Sequence, residues 1–227
     1  MIRIDGLTKH YGSIRALDNV SFEVRPGEVL GLIGPNGSGK TTLFECVGGV
    51  LPFDAGTVSA QADELFYLPD TIAPWPHQRV GWALRFAEGY FCAPAGLRQH
   101  VIEALALEPL LDQRVGQLSK GQRKRALLAI GLLSARPVLL ADEPFDGLDL
   151  KQTREVAAAL RAFADAGRTL VLSIHQISDA ARVCDRFVLL SGGTVRGTGS
   201  MTDVIAQASA RSGQAVAGLE EAFLALT

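Results

Sequence analysis

The sequence predicts an α/β protein with a mainly parallel core sheet, an N-terminal antiparallel β subdomain and an inserted helical subdomain. Three observations indicate this fold class. Short β-type runs separated by turns occupy residues 1–33, helical character prevails over about 74–136, and apolar strands alternate with a helix after that stretch. Strands that alternate with helices are typical of a parallel sheet. We therefore expect one domain, 1–227, in which the helical segment is embedded.

The first third of the chain supplies short strands and one glycine-rich passage into a helix. Two β-type runs, 2–4 and 20–24, precede the turn Arg25-Pro26-Gly27-Glu28. The apolar run 29–33 predicts a buried strand, and a helix is predicted over 42–48. Strand, glycine-rich loop and helix therefore follow in this order.

The remaining elements follow from apolar periodicity. Proline and glycine residues separate three predicted helices at 79–90, 97–107 and 120–134. The return to alternation predicts strands at 138–141, 169–174 and 187–190 and a helix at 151–163. The stretch 206–218 is small and polar, which predicts a mobile segment.

The composition excludes several classes of function. Lys and Arg number 22 against 24 Asp and Glu, and a net charge of −2 offers no general attraction for nucleic acid or an anionic membrane. The three cysteines are far apart and lack metal-ligand spacing, which suits a reducing compartment. Charges near the N-terminus argue against a signal peptide, so we expect a cytoplasmic protein. The longest apolar run, 126–133, is far shorter than the roughly 18 residues of a membrane span.

The phosphate-binding pattern GxxxxGK[ST] is matched by Gly34-Pro35-Asn36-Gly37-Ser38-Gly39-Lys40-Thr41. Glycines let the backbone wrap closely around phosphates, and the N-terminus of the following helix favours negative charge. We expect Lys40 to reach the β- and γ-phosphates, Thr41 to bind Mg²⁺ and Thr42 to donate near the α-phosphate. The alternative, a simple glycine-rich turn, is disfavoured by the position between a strand and a helix. The sequence thus predicts a P-loop NTPase that binds ATP and Mg²⁺.

An acidic pair follows another buried strand. Asp142 and Glu143 come directly after the run 138–141, and ligands of open α/β sheets bind at the C-terminal ends of strands. We expect Asp142 to hold Mg²⁺ through water and Glu143 to polarise the attacking water. His175 follows the strand 169–174 at the same edge. Alone, the acidic pair could be a strand exit before a proline and the histidine could be structural; the P-loop makes the catalytic interpretation the better one.

The run Leu118-Ser119-Lys120-Gly121-Gln122 resembles the LSGGQ signature of ABC ATPases and precedes Asp142 by about 20 residues. Ser119 and Gln122 also form a capping-box pattern, which predicts that a helix begins here. A merely capped helix is the alternative. In the ABC family this helix end contacts the γ-phosphate held by the opposite subunit. The resemblance therefore implies a head-to-tail dimer, homo- or heteromeric, with ATP contacts from Ser119, Gly121 and Gln122.

The resemblance covers nearly the whole chain and implies further roles. Tyr11 resembles the aromatic residue that stacks on adenine, and a core residue at a strand end is the less favoured alternative. Residues 38–42 are similar to the family's phosphate and metal contacts, and residues 146–149 to the loop that follows its acidic pair. His175 resembles the switch histidine that holds the γ-phosphate and the attacking water. Lys40, Glu143 and His175 are thus implied as the catalytic residues.

Three positions depart from the family pattern, one of them Gly147, which stands where a small alanine is common. Asp70 follows Tyr67-Leu68-Pro69 where the family usually has glutamine, and we expect its carboxylate to orient water at Mg²⁺. Lys120 replaces a signature glycine, which could add attraction for ATP across the dimer. A basic run, 123–125, is interpreted as a solvated helix face rather than a nucleic-acid site. Trp75, Trp82 and Phe86 are interpreted as core, with Pro74-Trp75-Pro76 as an alternative contact for a membrane subunit.

The resemblance implies an ATP-hydrolysing transporter subunit that acts through integral membrane permease subunits and lies at the inner face of the membrane. Asp70 and the ending 219–227 resemble an exporter branch with separate membrane subunits, so export is the expected direction. One alternative is a soluble ABC ATPase that acts on a macromolecular complex, although such relatives usually carry two cassettes or a long coiled-coil insertion. A P-loop kinase is another, but it would have no use for the signature at 118–122.

Overall fold

The computed structural model describes residues 1–61, 63–72 and 74–227. The described strands are β1 (Ile2–Tyr11), β2 (Ile14–Val24), β3 (Val29–Ile33), β4 (Ala55–Val58), β5 (Leu65–Leu68), β6 (Val138–Asp142), β7 (Thr169–Ile174), β8 (Arg186–Ser191) and β9 (Thr194–Gly199). The α-helices are α1 (Lys40–Val47), α2 (Val80–Tyr90), α3 (Leu97–Ala104), α4 (Lys120–Leu133), α5 (Leu150–Asp165), α6 (Ile177–Val183), α7 (Met201–Ser212) and α8 (Leu219–Leu226).

Two sheets organise the chain, and both were predicted. A core sheet of six strands has the order β5-β6-β7-β3-β8-β9, in which only the β8–β9 pair is antiparallel. A second sheet of three strands, β2-β1-β4, is antiparallel. Because the core strands run parallel from β5 to β8, their C-terminal ends meet along one edge. Ligand sites in open α/β sheets lie along this edge.

Each face of the core sheet contributes to a separate hydrophobic cluster. Alternate side chains of a strand point to opposite faces. Leu30 and Leu32 of β3 therefore pack toward α1 and the antiparallel sheet, whereas Val29 and Ile33 pack toward the remaining helices. The helices α2, α3 and α4 lie between β5 and β6 in the sequence and bury their apolar faces against the second cluster. This arrangement carries the start of α4 toward the edge of the sheet where β6 ends.

Several elements differ from the sequence-based prediction. β1 and β2 are longer than the short runs that predicted them, because exposed polar residues continue both strands. The prediction that 206–218 is mobile was wrong for its first half, which is the end of α7, in which Ala208 is fully buried; for 213–218 it stays a prediction. A capping box between Ser200 and Asp203 starts this helix and is visible in the sequence. No helix within the described ranges is both long and apolar enough to cross a membrane.

Arg168 fixes the C-terminal end of α4 to the core sheet. Its Nη1 donates to the carbonyl oxygen of Leu132 at 2.6 Å, and its Nη2 donates to the carbonyl of Gly131 at 2.8 Å and to Ser134 Oγ at 2.9 Å. These are the carbonyl groups that a helix end leaves without intrahelical partners. Burial lowers the pKa of Arg168 to about 10. The guanidinium therefore satisfies the last turn of α4 from the residue that precedes β7.

Replacing Arg168 by Met tests this anchor. We expect the free energy of unfolding to fall by about 2–4 kcal/mol, because three hydrogen bonds to buried oxygen atoms are lost. Chemical denaturation of purified chains measures the change. Arg154→Met on the exposed side of α5 is the matched control and is expected to stay within about 0.5 kcal/mol of the original chain. Equal stability of the two variants would contradict the assignment.

Candidate functional site

The phosphate loop connects β3 to α1 without a side-chain cap. Gly39 occupies the N-cap position in the left-handed region, with φ of 103°, so the first N–H groups of α1 are free of side-chain partners. A β-carbon at Gly39 would lie 2.6 Å from the carbonyl oxygen of Ala16, and this contact requires glycine. A β-carbon at Gly37 would instead meet nothing within 4 Å. The loop is therefore tightly seated on one side and open on the other.

Lys40 is buried at the start of α1 and bends back over the loop. Its Nζ donates to the carbonyl oxygens of Gly34 at 2.8 Å and Pro35 at 3.3 Å. Burial lowers the pKa of Lys40, while the negative charges of Glu143 and Asp142 act in the opposite direction. These two carboxylates come from the end of β6. The loop and the acidic pair thus form one electrostatic unit, as the order of the motifs predicted.

A cleft of about 340 Å³ opens beside the loop. It is lined by six loop and α1 residues, by Glu143, by the segment Ile14, Arg15 and Ala16 of β2, and by Gly192 and Gly193. The β2 segment and the glycine turn between β8 and β9 carry no sequence motif, so sequence reasoning missed them. Tyr11 is absent from the residues that line this cleft. It lies at the end of β1, half exposed, with Lys9 Nζ 5.8 Å from its ring centroid, and its stacking role stays a prediction.

Asp142 joins three elements of the site. Its carboxylate is buried, with 3% of the residue exposed. Oδ2 accepts a hydrogen bond from Thr41 Oγ1 at 2.8 Å, and Oδ1 accepts one from the hydroxyl of Ser173 on β7. Thr41 and Asp142 were both predicted as metal ligands, and the structure brings their oxygen atoms together. Ser173 was not singled out, because a serine inside an apolar strand gives no signal by itself.

Glu143 is held in an unusual backbone conformation. Its φ is 48°, a left-handed value that non-glycine residues rarely adopt. The N–H group of Glu143 donates to Ser173 Oγ at 2.9 Å. Its Oε2 lies 2.9 Å from Nδ1 of His175, and since a carboxylate can only accept, Nδ1 carries the hydrogen. Glu143 lines the cleft beside the phosphate loop and also a smaller cavity of about 70 Å³ with His175.

The residues present fit a nucleoside triphosphate with Mg²⁺. The uncapped start of α1 supplies N–H donors and the glycines supply close backbone approach, which is the chemistry of phosphate binding. Thr41 Oγ1 and the Asp142 carboxylate offer the hard oxygen ligands that Mg²⁺ prefers. Across the described ranges, no group of three or more His, Cys, Asp or Glu side chains could hold a metal ion. The two oxygen donors therefore suit an ion that also takes phosphate and water ligands.

The signature run begins α4, as the capping-box pattern predicted. The N–H of Gln122 donates to Ser119 Oγ at 3.3 Å, and the N–H of Ser119 donates to Gln122 Oε1 at 2.9 Å. Gly121 packs against the next loop, where its β-carbon would lie 2.6 Å from the carbonyl oxygen of Gly147. None of Ser119, Gly121 and Gln122 lines the phosphate-loop cleft of the same chain. Their predicted ATP contacts therefore need a nucleotide held elsewhere.

The basic residues at the start of α4 do not form the solvated face that the sequence predicted. Lys124 and Arg125 are buried, and Arg125 Nη1 donates to the carbonyl oxygens of Leu105 and Ala106, both at 3.1 Å. Lys120 is exposed, but its Nζ lies 2.5 Å from Asp146 Oδ2. This pairing lowers the pKa of Asp146 and raises the pKa of Lys120. The charge of Lys120 is thus offset within the chain, which weakens the predicted attraction for ATP across a dimer.

Asp70 lies against α4. Its Oδ1 is 2.5 Å from Nζ of Lys124, which also lies 3.5 Å from the backbone oxygen of Asp142. The carboxylate that was predicted to orient water at Mg²⁺ forms an ion pair with a lysine in this structure. Asp70 as a metal ligand stays a prediction. Lys124 is the residue that sequence reasoning missed here, because charge runs at helix starts are usually solvated.

In the helical segment, Trp75, Phe86 and Tyr90 line an apolar groove rather than a closed core, and Trp82 packs against Trp75 and Phe86. Trp75, Trp82, Phe86 and Tyr90 form a chain of contacts with ring centroids 5.2 to 6.0 Å apart. This groove, called the aromatic groove below, has a volume of about 300 Å³ and runs from β5 and the loop after it to α2 and α4. Trp75, Phe86 and Tyr90 are exposed there, with 72% exposure for Tyr90. An exposed aromatic cluster of this kind is typical of a protein contact.

Comparison with known proteins identifies relatives over most of the chain. The family model described as ABC transporter matches residues 17–146. An uncharacterized ABC transporter ATP-binding protein of Methanocaldococcus jannaschii is 29% identical, over 89% of this chain and 79% of its own length. A manganese transport system ATP-binding protein of Synechocystis sp. is 34% identical, over 84% of this chain and 81% of its own. A sulfate/thiosulfate import ATP-binding protein of Vibrio cholerae is 32% identical, over 92% of this chain.

Solved structures of ABC transporter ATP-binding proteins have the same fold as this chain. An ATP-binding subunit of an ABC transporter gives a TM-score of 0.88 at 25% identity, and the match covers 100% of this chain and 99% of that one. A bacterial ABC transporter cassette solved as a dimer gives 0.76 at 25% identity, over 88% of this chain and 98% of its own. The chain spans only 61% of the Vibrio cholerae relative. That relative is named for import, so the predicted export direction has no support from these comparisons.

Replacing Ser173 by Ala tests the support of the acidic pair. We expect the free energy of unfolding to fall by about 1–3 kcal/mol, because one buried carboxylate oxygen and one backbone N–H lose their partner. We also expect weaker Mg²⁺-dependent nucleotide binding, since Asp142 is then held by Thr41 alone. Denaturation and calorimetric titration measure the two effects. Ser191→Ala at the end of β8, a strand of the same sheet that does not adjoin β7, is the control, and a loss of the same size in that variant would count against the assignment.

Proposed function

The chain belongs to the ABC transporter family of ATP-binding proteins, and we propose that it is the ATP-hydrolysing motor of a transport system. Members of this family hydrolyse ATP, and ATP is the nucleotide that this chain binds. One observation carries the proposal: the phosphate loop, the Thr41–Asp142 oxygen pair and the Glu143–His175 pair meet at one edge of the sheet, while the signature helix begins outside that cleft. The site is half of an arrangement that a second subunit completes.

Each residue of the cleft has a proposed task in ATP hydrolysis. The backbone of residues 34–39 and the start of α1 bind the phosphates, with Lys40 beside the β- and γ-phosphates. Thr41 and Asp142 hold Mg²⁺, which offsets phosphate charge. Glu143 accepts a proton from the water that attacks the γ-phosphate, and His175 Nδ1–H holds the Glu143 carboxylate in place. The fixed position of Glu143 between the cleft and the smaller cavity supports this role.

We propose a dimer because the signature run 118–122 lies outside the phosphate-loop cleft of its own chain. The start of α4 presents N–H groups beyond those used by its own capping box, and such a helix end attracts anions. Ser119, Gly121 and Gln122 of one subunit are proposed to contact the γ-phosphate bound by its partner, head to tail. The cassette solved as a dimer supports such an association for a relative of the same fold. Tyr11 remains proposed as the adenine contact.

The partner is proposed to be an integral membrane permease subunit. The aromatic groove offers an apolar surface beside the loop after β5, and a helix or loop of the permease would bury Phe86 and Tyr90 there. The whole chain, 1–227, is proposed as one ATP-binding domain whose helical subdomain, about 74–136, carries this groove. Such a partner would hold the chain at the inner face of the cell membrane. The similarity to a sulfate/thiosulfate import ATP-binding protein favours import as the direction.

Replacing Glu143 by Gln tests the hydrolytic mechanism. We expect the rate of ATP hydrolysis to fall by about 100-fold or more, since glutamine accepts no proton. ATP binding is expected to persist, because the glutamine keeps the shape of the side chain and leaves the phosphate loop intact. Phosphate release and size-exclusion chromatography with Mg²⁺-ATP measure rate and dimer formation. A variant that hydrolyses ATP at the original rate, or that forms no ATP-dependent dimer, would refute the mechanism.

A paired substitution in the groove tests the partner surface. We expect Phe86→Asp combined with Tyr90→Asp to abolish co-purification with the membrane protein encoded beside this chain, because two charges then face an apolar contact. The ATPase rate of the isolated chain is expected to stay within about twofold, since both side chains are exposed and lie outside the cleft. Leu224→Asp, an exposed apolar position on α8, is the control. Retained co-purification of the paired variant would rule the groove out.

A further inference from the structure

An ion pair lies where the loop after β5, the start of α4 and the end of β6 meet. Asp70 Oδ1 is 2.5 Å from Lys124 Nζ, and Lys124 Nζ is 3.5 Å from the backbone oxygen of Asp142. Only 4% of Lys124 is exposed, and the Asp70 side chain is 28% exposed. A buried ammonium group is stable only with a close partner of opposite charge. The carboxylate of Asp70 is therefore committed to Lys124.

Lys124 also contacts β6, the strand that ends at the proposed Mg²⁺ ligand Asp142. Asp142 holds Thr41 and Ser173 through its side chain, and the Lys124 ammonium reaches its backbone oxygen. One turn further along α4, Leu127 lines the aromatic groove that contains Trp75. Rigid contacts of this kind can carry a displacement from one surface to another. Lys124 thus stands between the nucleotide cleft and the groove.

We propose that Lys124 is a positioning residue for ATP hydrolysis, which holds Asp70 away from the metal and couples the nucleotide cleft to the aromatic groove through their ion pair. This inference rests on the function proposed above. Asp70 then acts through Lys124 rather than as a ligand of Mg²⁺. The pair ties Asp70 to the end of β6, so that a change at Asp142 on nucleotide binding moves Asp70 and the adjoining groove residue Pro69 together.

The tryptophan fluorescence of the chain can report that movement. The sequence has two tryptophans: Trp75 lines the groove, and the ring centroid of Trp82 lies 5.8 Å from that of Trp75. The residues that line the phosphate-loop cleft include neither of them. A change in tryptophan emission on addition of Mg²⁺-ATP therefore reports the groove and the loop rather than direct contact with the nucleotide.

The central variant is Lys124→Met, which removes the charge and keeps an unbranched side chain of similar length. We expect it to bind ATP within about threefold of the original affinity by calorimetry, because Lys124 donates to Asp70 and to the backbone of Asp142 and does not line the phosphate-loop cleft. The Mg²⁺-ATP-dependent emission change is expected to fall by about half or more, and kcat to fall about tenfold while KM changes little. Lys124→Arg retains the cation beside a cavity of about 330 Å³ and is expected to restore most of the signal.

A double-mutant comparison separates the ion pair from the metal assignment of Asp70. If the pair is the active unit, Asp70→Asn, Lys124→Met and the double variant lose the emission change to a similar extent, and the Mg²⁺ concentration for half-maximal binding stays within about threefold. If Asp70 binds the metal, Asp70→Asn raises that concentration about tenfold or more and Lys124→Met does not. The second outcome overturns the proposal.

Controls distinguish the remaining outcomes. Lys151→Met, on the exposed start of α5, is the matched substitution and is expected to behave like the original chain. Thermal unfolding confirms that each variant is folded, and Lys124→Gln replaces Lys124→Met if the latter is not. The proposal is overturned if the Lys124 variant keeps the emission change and the kcat of the unsubstituted chain. It is also overturned if the unsubstituted chain hydrolyses ATP without any emission change. An original chain that neither binds nor hydrolyses ATP would instead refute the proposed function itself.

Discussion

The buried carboxylate of Asp142 is the constraint around which the site is arranged. A carboxylate with so little exposure must have donors on both oxygen atoms, and it takes one from α1 and one from β7. Those donors fix the start of the phosphate-loop helix and the neighbouring strand relative to β6. Ser173 in turn accepts the N–H of Glu143, so the base inherits its position from the same network. Binding loop, metal ligand and base are therefore one hydrogen-bonded unit.

Electrostatic pairing attaches the signature helix to that unit. The cations at the start of α4 all find partners inside the chain, either carboxylates on flanking loops or backbone carbonyl groups. Carboxylates therefore offset the charges of the two lysines, while backbone carbonyl groups satisfy the donors of the two arginines. At the other end of α4, Arg168 satisfies the terminal carbonyl groups. The helix is held at both ends by side chains, while its middle packs through small and aliphatic residues.

The sequence was most informative where local chemistry alone decides the structure. The strands β3, β6 and β7 are buried on both faces, so their apolar runs are unambiguous, and the phosphate loop and the capping box at Ser119 depend on neighbouring residues only. Ser173, Lys124 and the glycine turn at Gly193 escaped notice because their roles come from partners far away in the chain. The short edge strand β4 is mostly exposed and has little apolar signal.

The left-handed backbone at Glu143 constrains what evolution can place there. Such a conformation costs about 1–2 kcal/mol for most residues, more for β-branched side chains, and little for glycine or asparagine. Even a lineage that abandoned hydrolysis would therefore meet a backbone filter at this position. Descendants that keep the fold but lose the base should drift toward Gly, Asn or Asp and avoid Val, Ile and Thr. The geometry of one turn thus narrows the paths by which this catalyst could become an inactive binding protein.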